Sequence, residues 1–408
     1  MLAPERRTRA DIIAAIGIAV AVLLAAIVVW ARGDATGTES VTAVEPATTP
    51  SAAVELPTTL RELWHAPDDA SDRALVAGGA VVTASDGTVT GRDPDSGAEL
   101  WHYRRDMPLC GVEAQFGMVV AVYRDERGCS QATMLSGNDG ARRTARSSYM
   151  DDEVRLSVDG TYLLAYGDER LEVWRSDLVR TVEYGYVDAP VNVKTQPRRG
   201  CALLSAASGS SRLAVLESCP DDAAIRLTVM NPSPKDNTVP EEYGSRVLTG
   251  PGAQSREAKV LAVSDSKILL YQPGAESGSE SVPPRLSVFD GNGNPLAVHE
   301  LPAPMKDPRT TRVGSVSLVH TGSDLIALNS ATFEPQWTVP GAIGTPAAMA
   351  TRLLVPVPDA IVAVDLISGA EVARIPVDRS GGADAEISLA VLGEIVLEQR
   401  GDTLFGLG

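Results

Sequence analysis

The residues best equipped for chemistry are few in this 408-residue chain. Four cysteines, Cys110, Cys129, Cys201 and Cys219, form two close pairs separated by 19 and 18 residues. A thiol can be a nucleophile, a metal ligand or half of a disulfide. Neither pair has the tight C-x2-4-C spacing of most zinc knuckles. Four cysteines allow three connectivities. Proximity favours Cys110–Cys129 and Cys201–Cys219. Each bridge would close a loop of about 20 residues and contribute roughly 3 kcal/mol in the chain-entropy model.

The four histidines, His65, His102, His299 and His320, stand singly beside or within short apolar runs. They read as packing or surface residues rather than as a metal set or a general base. Asp290-Gly291-Asn292-Gly293-Asn294 opens like a calcium loop, but Pro295 and Leu301 occupy the positions where an EF-hand needs Gly and Glu. A tight turn between strands is the better reading. The acidic runs Asp151-Asp152-Glu153, Asp221-Asp222 and Glu241-Glu242 read as solvated loop ends. The chain contains neither a G-x-S-x-G elbow nor a G-x-x-x-x-G-K-[ST] phosphate loop. These observations predict no catalytic, cofactor-binding or metal-binding residues, and a non-enzymatic protein.

The formal charge is −17. Such an acidic surface argues against broad binding of nucleic acid or anionic lipid. Ile12 to Trp30 is nineteen residues without a charge. As a helix, that run is about 28 Å long, close to the roughly 30 Å hydrocarbon core of a bilayer. Arg6, Arg7 and Arg9 precede it, and only Arg32 follows nearby. The basic side stays cytoplasmic, which predicts a stub at 1–11, a signal anchor at 12–30 and an extracytoplasmic remainder. A cleaved signal peptide is the rival. Its apolar region is usually shorter, about 7–15 residues, and Val29-Trp30-Ala31 is a poor cleavage site. Outside the cytoplasm, disulfides are permitted.

Residues 31–56 are rich in Ala, Thr, Ser, Pro and Glu, and read as a flexible or extended linker. From residue 57 the texture changes. Runs of Val, Leu, Ile, Ala and Thr alternate with Gly, Asp, Asn, Pro and Ser, as in Lys267-Ile268-Leu269-Leu270-Tyr271. These are strand and hairpin signals, and 57–408 is expected to be all-β.

One unit recurs. A strand ends at Asp93, Gly97 follows four residues later, and Trp101 follows eight residues after Asp93. Trp337 stands eight residues after Asn329, and Gly369 stands four after Asp365. Looser copies centre on residues 136, 175, 231 and 290, so successive gaps are 43, 39, 56, 59, 39 and 36. Such periods mark propeller blades, two of them lengthened by insertions near Asn231–Ser255 and Gly274–Pro284 that would decorate one face. Thr403 to Gly408 aligns with Asp324 to Asn329 and lacks a following strand. Leu60 to His65, with Trp64, resembles that missing strand. Joining them gives an eight-bladed ring closed by an N-terminal strand, with seven blades as the alternative.

The pattern of Asp93, Gly97 and Trp101, echoed at Asn329/Trp337 and Asp365/Gly369, resembles the repeat of pyrroloquinoline-quinone (PQQ)-type β-propellers, which are close in architecture to WD40-like rings. The likeness spans most of 57–408. It implies that Gly97 and Gly369 form blade turns, and that Trp64, Trp101 and Trp337 dock adjacent blades rather than touch a cofactor. The family holds quinoprotein dehydrogenases as well as cofactor-free scaffolds. This chain lacks adjacent cysteines and a C-x-x-C-H haem site, and has four tryptophans outside the apolar run, which argues against quinone. Only five of the 36 basic residues are Lys, which fits an actinobacterial-type coding bias, and single-pass actinobacterial proteins of this architecture exist. The expectation is a membrane-anchored interaction scaffold whose partners are cell-envelope or membrane proteins. A funnel sensor for a small ligand or envelope glycan and a degenerate quinoprotein oxidoreductase are the alternatives.

Overall fold

A computed structural model describes all residues except 1–7, 32, 34–35, 189–191, 193, 278–279 and 380–385. Arg6, Arg7 and Arg32, which set the charge asymmetry around the apolar run, lie outside the described residues. A single helix, Arg9–Ala31, covers that run. Thr8 and Asp11 cap it reciprocally: the Asp11 N–H donates to Thr8 Oγ1, and Asp11 Oδ2 accepts the Thr8 N–H at 2.8 Å. At about 1.5 Å per residue it is about 35 Å long. None of its residues is buried, so it is long and apolar enough to cross a membrane and does not pack on the rest of the chain.

Every later regular element among the described residues is a strand. Eight sheets of at least four strands follow one another around a ring. The first blade runs Leu75–Ala77, Ala80–Ser85, Thr88–Arg92 and Glu99–Arg105, inside to outside. The eighth runs Ile387–Leu392, Ile395–Arg400 and Thr403–Leu407, and takes Glu62–Pro67 as its outermost strand. The ring is thus eight-bladed and closed by an N-terminal strand. The first strands of neighbouring blades contact each other and line the axis. Second and third strands are buried on both faces, because blades stack on either side, and so read as continuous apolar runs. Outer strands are mostly more exposed, as in Glu371–Pro376, whereas that of blade three, Arg180–Gly185, is buried along most of its length.

The repeat has a local cause. In all eight blades the ladder between third and outer strand shifts register by one residue near the repeat position. Such a bulge re-aims the outer strand. The acid then caps the turn. Asp93 Oδ1 accepts the Ser96 N–H and Asp365 Oδ1 the Ser368 N–H, while the N–H groups of Gly97 and Gly369 donate to the carbonyls of Asp93 and Asp365. Gly97 sits at φ +68°, and a Cβ there would lie 2.6 Å from the Trp64 ring.

Alternating hairpins define two faces. Turns joining strands one to two and three to four form the upper face; turns joining two to three, and the connections between blades, form the lower face. The long insertions do not decorate one face as expected. The 231–241 connection joins third to outer strand, at the upper face, whereas 248–258 and the hairpin Ala275–Ser277/Glu280–Val282 leave from the lower one. The antiparallel order forces this, since Glu242–Val247 crosses the blade between them.

The linker reading of 31–56 needs correction. Thr38–Val41 is a fifth strand on the outer edge of the first blade, with Thr38 opposite Arg105 and Val41 opposite His102. The chain then crosses the upper face. The N–H groups of Ala43 and Ala47 donate to the carbonyls of Asp139 and Asn138, Pro50 lies on Gly393, and Ala53 and Leu56 pack against the seventh and eighth blades. Low periodicity concealed this. A strap that lies on existing turns needs backbone bonds and a few small contacts, not an apolar face of its own.

Candidate functional site

The charged groups of the axial channel gather at its lower mouth, where first strands begin. Arg73 grips Glu113 in a bidentate pair, at 2.9 and 2.6 Å. Arg309 reaches Glu386 at 3.2 Å and the Asp72 carbonyl. Glu386 also takes His320 Nδ1 at 3.2 Å, while His320 Nε2 faces the Ala342 carbonyl at 3.1 Å. Each cation faces an anion, and both nitrogens of His320 face acceptors. The arrangement braces blades one, two, six and eight across the channel.

The other histidines do not converge on it. His65 pairs with Glu62, and His102 with Glu99, both on outer strands; His299 lies on the outer strand Pro295–Glu300. Glu99 and Glu39 raise His102 above the ordinary histidine range, against a smaller opposing effect of burial. Asp290 accepts the N–H groups of Asn292 and Asn294 at 2.8 Å each, which caps the turn before the outer strand of blade five.

The cysteines pair as Cys110–Cys129 and Cys201–Cys219. The first bridge ties the first strand of blade two to its third, over the end of the second; the second joins the start and end of the first hairpin in blade four. Glu217 comes within 4.8 Å of both sulfurs of the second bridge, a spacing compatible with a metal, but the sulfurs are bonded to one another. Glu217 instead accepts from Tyr184 Oη at 2.9 Å and pairs with Arg198 at 3.2 Å. Burial outweighs these partners and raises it above the ordinary carboxylate range.

The three expected tryptophans span blade boundaries. The indole N–H of Trp64, on blade eight, donates to the Pro94 carbonyl of blade one at 2.8 Å. Trp101 reaches Gly137 of blade two at 2.8 Å, and Trp337 reaches Leu366 of blade seven at 3.3 Å. Each ring covers a turn glycine of the next blade: Gly97, Gly140 and Gly369.

Sequence reasoning missed what joins the remaining blades. Between blades two and three, Arg146 donates to the Leu178 carbonyl at 2.9 Å, pairs with Glu172 at 2.9 Å and lies over the Trp174 ring. Glu172 is 0% exposed and also bonds Arg170 at 2.6 Å and the Trp174 N–H at 2.8 Å. Burial alone would raise it; Arg146, Arg170 and Arg180 together hold it below the ordinary range. Between blades seven and eight, buried Arg379 takes Glu398 at 2.6 Å. The available signal was Arg or Glu at inward positions of otherwise apolar strands, as in Arg170-Leu171-Glu172.

The lower face also holds an open, polar cleft of about 580 Å³ at blade one, lined by Asp69, Asp86, Arg104, Asp106 and Leu109 among others. It borders the point where the chain arrives from the helix, since the Asp106 N–H donates to the Gly37 carbonyl at 2.7 Å.

No family model and no curated protein matches the chain. Among solved structures it is similar to BamB from Moraxella catarrhalis, at 15% identity and TM-score 0.48, over 86% of this chain and 97% of that one. It is similar to the dihydro-heme d1 dehydrogenase NirN at 15% identity and TM-score 0.47, over 82% and 78%. The N-terminal domain of Nup159 is similar at 12% identity and TM-score 0.44, over 89% and 99%.

Proposed function

We propose that this chain is a membrane-anchored, extracytoplasmic, non-enzymatic scaffold of the cell envelope, built on a PQQ-like propeller and held by one helix, as in single-pass actinobacterial proteins of this architecture. The observation that carries the reading is the route of the chain. An apolar helix ending at Ala31 is followed by only six residues before Thr38 joins the rim of blade one. A ring so held presents broad loop surfaces within reach of the bilayer and raises its effective concentration for partners there. The two disulfides support an oxidising compartment, and the arginines before the helix support a cytoplasmic N-terminus. The ion pairs Arg73–Glu113 and Arg309–Glu386 at the channel mouth support a structural role, because each joins groups of different blades.

Crosslinking in intact cells, with photoreactive residues on the propeller surface, tests this. Specific envelope or membrane proteins captured by the full chain, and lost when the helix is deleted, are expected. Saturable binding of a glycan fragment or quinone-dependent dye reduction, without protein partners, would overturn the scaffold reading.

A further inference from the structure

The two disulfides differ in what surrounds them. Cys201 and Cys219 stand one step beyond the Ala202/Ser218 pair, facing each other across the first two strands of blade four. Their Cα atoms are 4.2 Å apart, held side by side by the backbone ladder and not by the sulfurs alone. Exposed residues flank the bridge, Arg199 and Gly200 before Cys201, Pro220 and Asp221 after Cys219. The other bridge is less open. Cys129 is 1% exposed and stands between buried Gly128 and Ser130.

The second difference is an acid. Glu217 lies two residues before Cys219, on the same face of the chain, and is fully buried. Its carboxylate comes within 4.8 Å of both sulfurs, a gap that one water bridges. Among the described residues, no carboxylate or imidazole stands in that relation to Cys110 and Cys129. Four groups face Glu217: Tyr184 from the outer strand of blade three, Arg198 from the connection between the blades, and Arg226 and Thr228 from the third strand of blade four. Burial outweighs them and lets the carboxyl keep its proton above the ordinary range.

A thiolate that attacks a disulfide expels the other sulfur as a thiolate. Cys219 is the more exposed of the pair, so it is the sulfur open to attack. The departing sulfur is then that of buried Cys201, where a bare negative charge is costly. An acid beside it offsets that cost.

We propose that Cys201–Cys219 is a thiol–disulfide exchange site, that its co-reactant is a dithiol, and that Glu217 protonates the departing Cys201 sulfur. One thiolate of the dithiol attacks Cys219 Sγ. The S–S bond breaks, and its electron pair leaves on Cys201 Sγ, which takes the Glu217 proton. The second thiol of the co-reactant loses its proton to solvent and attacks its own partner sulfur in the mixed disulfide. Cys219 leaves as a thiolate, and both it and Glu217 regain a proton from solvent. The bridge gains two electrons and becomes two thiols; the dithiol loses two and becomes a disulfide. The site depends on neither the anchor nor the scaffold reading.

Dithiothreitol added to the full chain in detergent micelles tests it. Differential alkylation with peptide mapping follows each bridge, while circular dichroism shows that the chain stays folded. Cys201–Cys219 should open at least about tenfold faster than Cys110–Cys129 at neutral pH. The ratio of the two rates cancels the ionisation of the reductant, and should fall as pH rises from about 5 to about 9 and Glu217 loses its proton. Glu217→Gln should slow the opening of Cys201–Cys219 about tenfold or more at neutral pH, flatten that slope and leave Cys110–Cys129 unchanged. Reduced glutathione, a monothiol, should form its mixed disulfide on Cys219. Equal rates for the two bridges, or a ratio in the unaltered chain that does not change with pH, overturns the proposal. So does faster opening in Glu217→Gln, the result expected of a carboxylate that only braces the blade. A mixed disulfide on Cys201 overturns the order of attack.

Discussion

Asp68 is the residue on which the closing blade meets the first. It follows directly on the closing strand. Its N–H donates to the Asp402 carbonyl, its carbonyl accepts Gln399 Nε2, and its Oδ1 accepts the Ala84 N–H of blade one at 2.8 Å. The side chain is 0% exposed, and neither Oδ2 nor the nearby Ser71 Oγ has a hydrogen-bond partner. Burial pushes its pKa up to about 7; the nearby Ser71 hydroxyl, the bond from Ala84 and the distant Arg92 favour the carboxylate but do not offset burial, and Asp69 adds to it. The folded state therefore binds this proton more tightly than the unfolded one. The group weakens folding progressively as pH rises from about 4 to about 7, and fully above that, by up to about 4 kcal/mol. Asp68→Asn keeps the Oδ1 acceptor and offers Ser71 a donor. Its denaturation midpoint should match the parent near pH 4 and exceed it by an amount equivalent to about 1–4 kcal/mol at pH 8. Parallel pH profiles would refute the assignment. Nothing in the sequence marks Asp68, because Asp68-Asp69 looks like any acidic turn. Only burial between two blades distant in sequence makes it special.

At the scale of the blade, one space is filled in different ways. The tryptophan position pairs with the residue two before the repeat position (Asp93, Asn329 or Gly408): Trp101 with Gly91, Trp337 with Ala327, Trp64 with Gly406. Where an outer strand supplies tryptophan, the next blade's turn supplies glycine. In blade five the same position holds Ala297, opposite Val288, and the turn of blade six holds Phe333, at φ +60° and 1% exposed. The large group has moved from strand to turn, which offsets a backbone conformation that costs about 1–2 kcal/mol for a residue with a Cβ. Blades two and three repeat the exchange, with Thr144 opposite Met134 and buried Leu178 in the turn. This explains why the repeat is legible in blades one, six and seven and blurred elsewhere. A pattern of glycine and tryptophan can be read along a chain, whereas a volume shared between blades cannot. Phe333→Gly should cost about 3–5 kcal/mol by opening a cavity. Ala297→Trp alone should also destabilise, by overpacking. Together they rebuild the pair seen at Trp337 and Gly369, so the double variant should recover at least half of the loss of Phe333→Gly. Additive losses in denaturant melts would show that the two sites do not share one space.

For the whole molecule, the part of the chain that follows the apolar helix is also what completes the ring. Blade eight gains its outer strand from Glu62–Pro67, and Trp64 of that strand carries the contact to blade one. The strap before it, from Thr38 to Leu56, joins blades one, two, seven and eight over the upper face through a short strand, backbone bonds and small apolar contacts. Closure and covering are different jobs, so successive truncations should separate them. Removal of 1–36 takes away the helix and link and leaves every propeller contact, and should give a soluble monomer with one cooperative melt. Removal of 1–57 deletes the strap but keeps the closing strand. It should still give a closed ring, with a lower melting temperature that reflects the lost burial of Ala53 and Leu56, a few kcal/mol at about 25 cal/mol per Å². Removal of 1–67 leaves Thr403–Leu407 as an unpaired edge and strips the ring from Gly97 and Gly406. An exposed apolar edge pairs with other chains, so this form should aggregate or lose its single transition. Recovery of a soluble monomer on adding a synthetic peptide of residues 57–67 would tie the defect to that strand. If the 1–67 deletion melts like the 1–36 deletion, the closing strand is dispensable and the ring is held by its blade contacts alone.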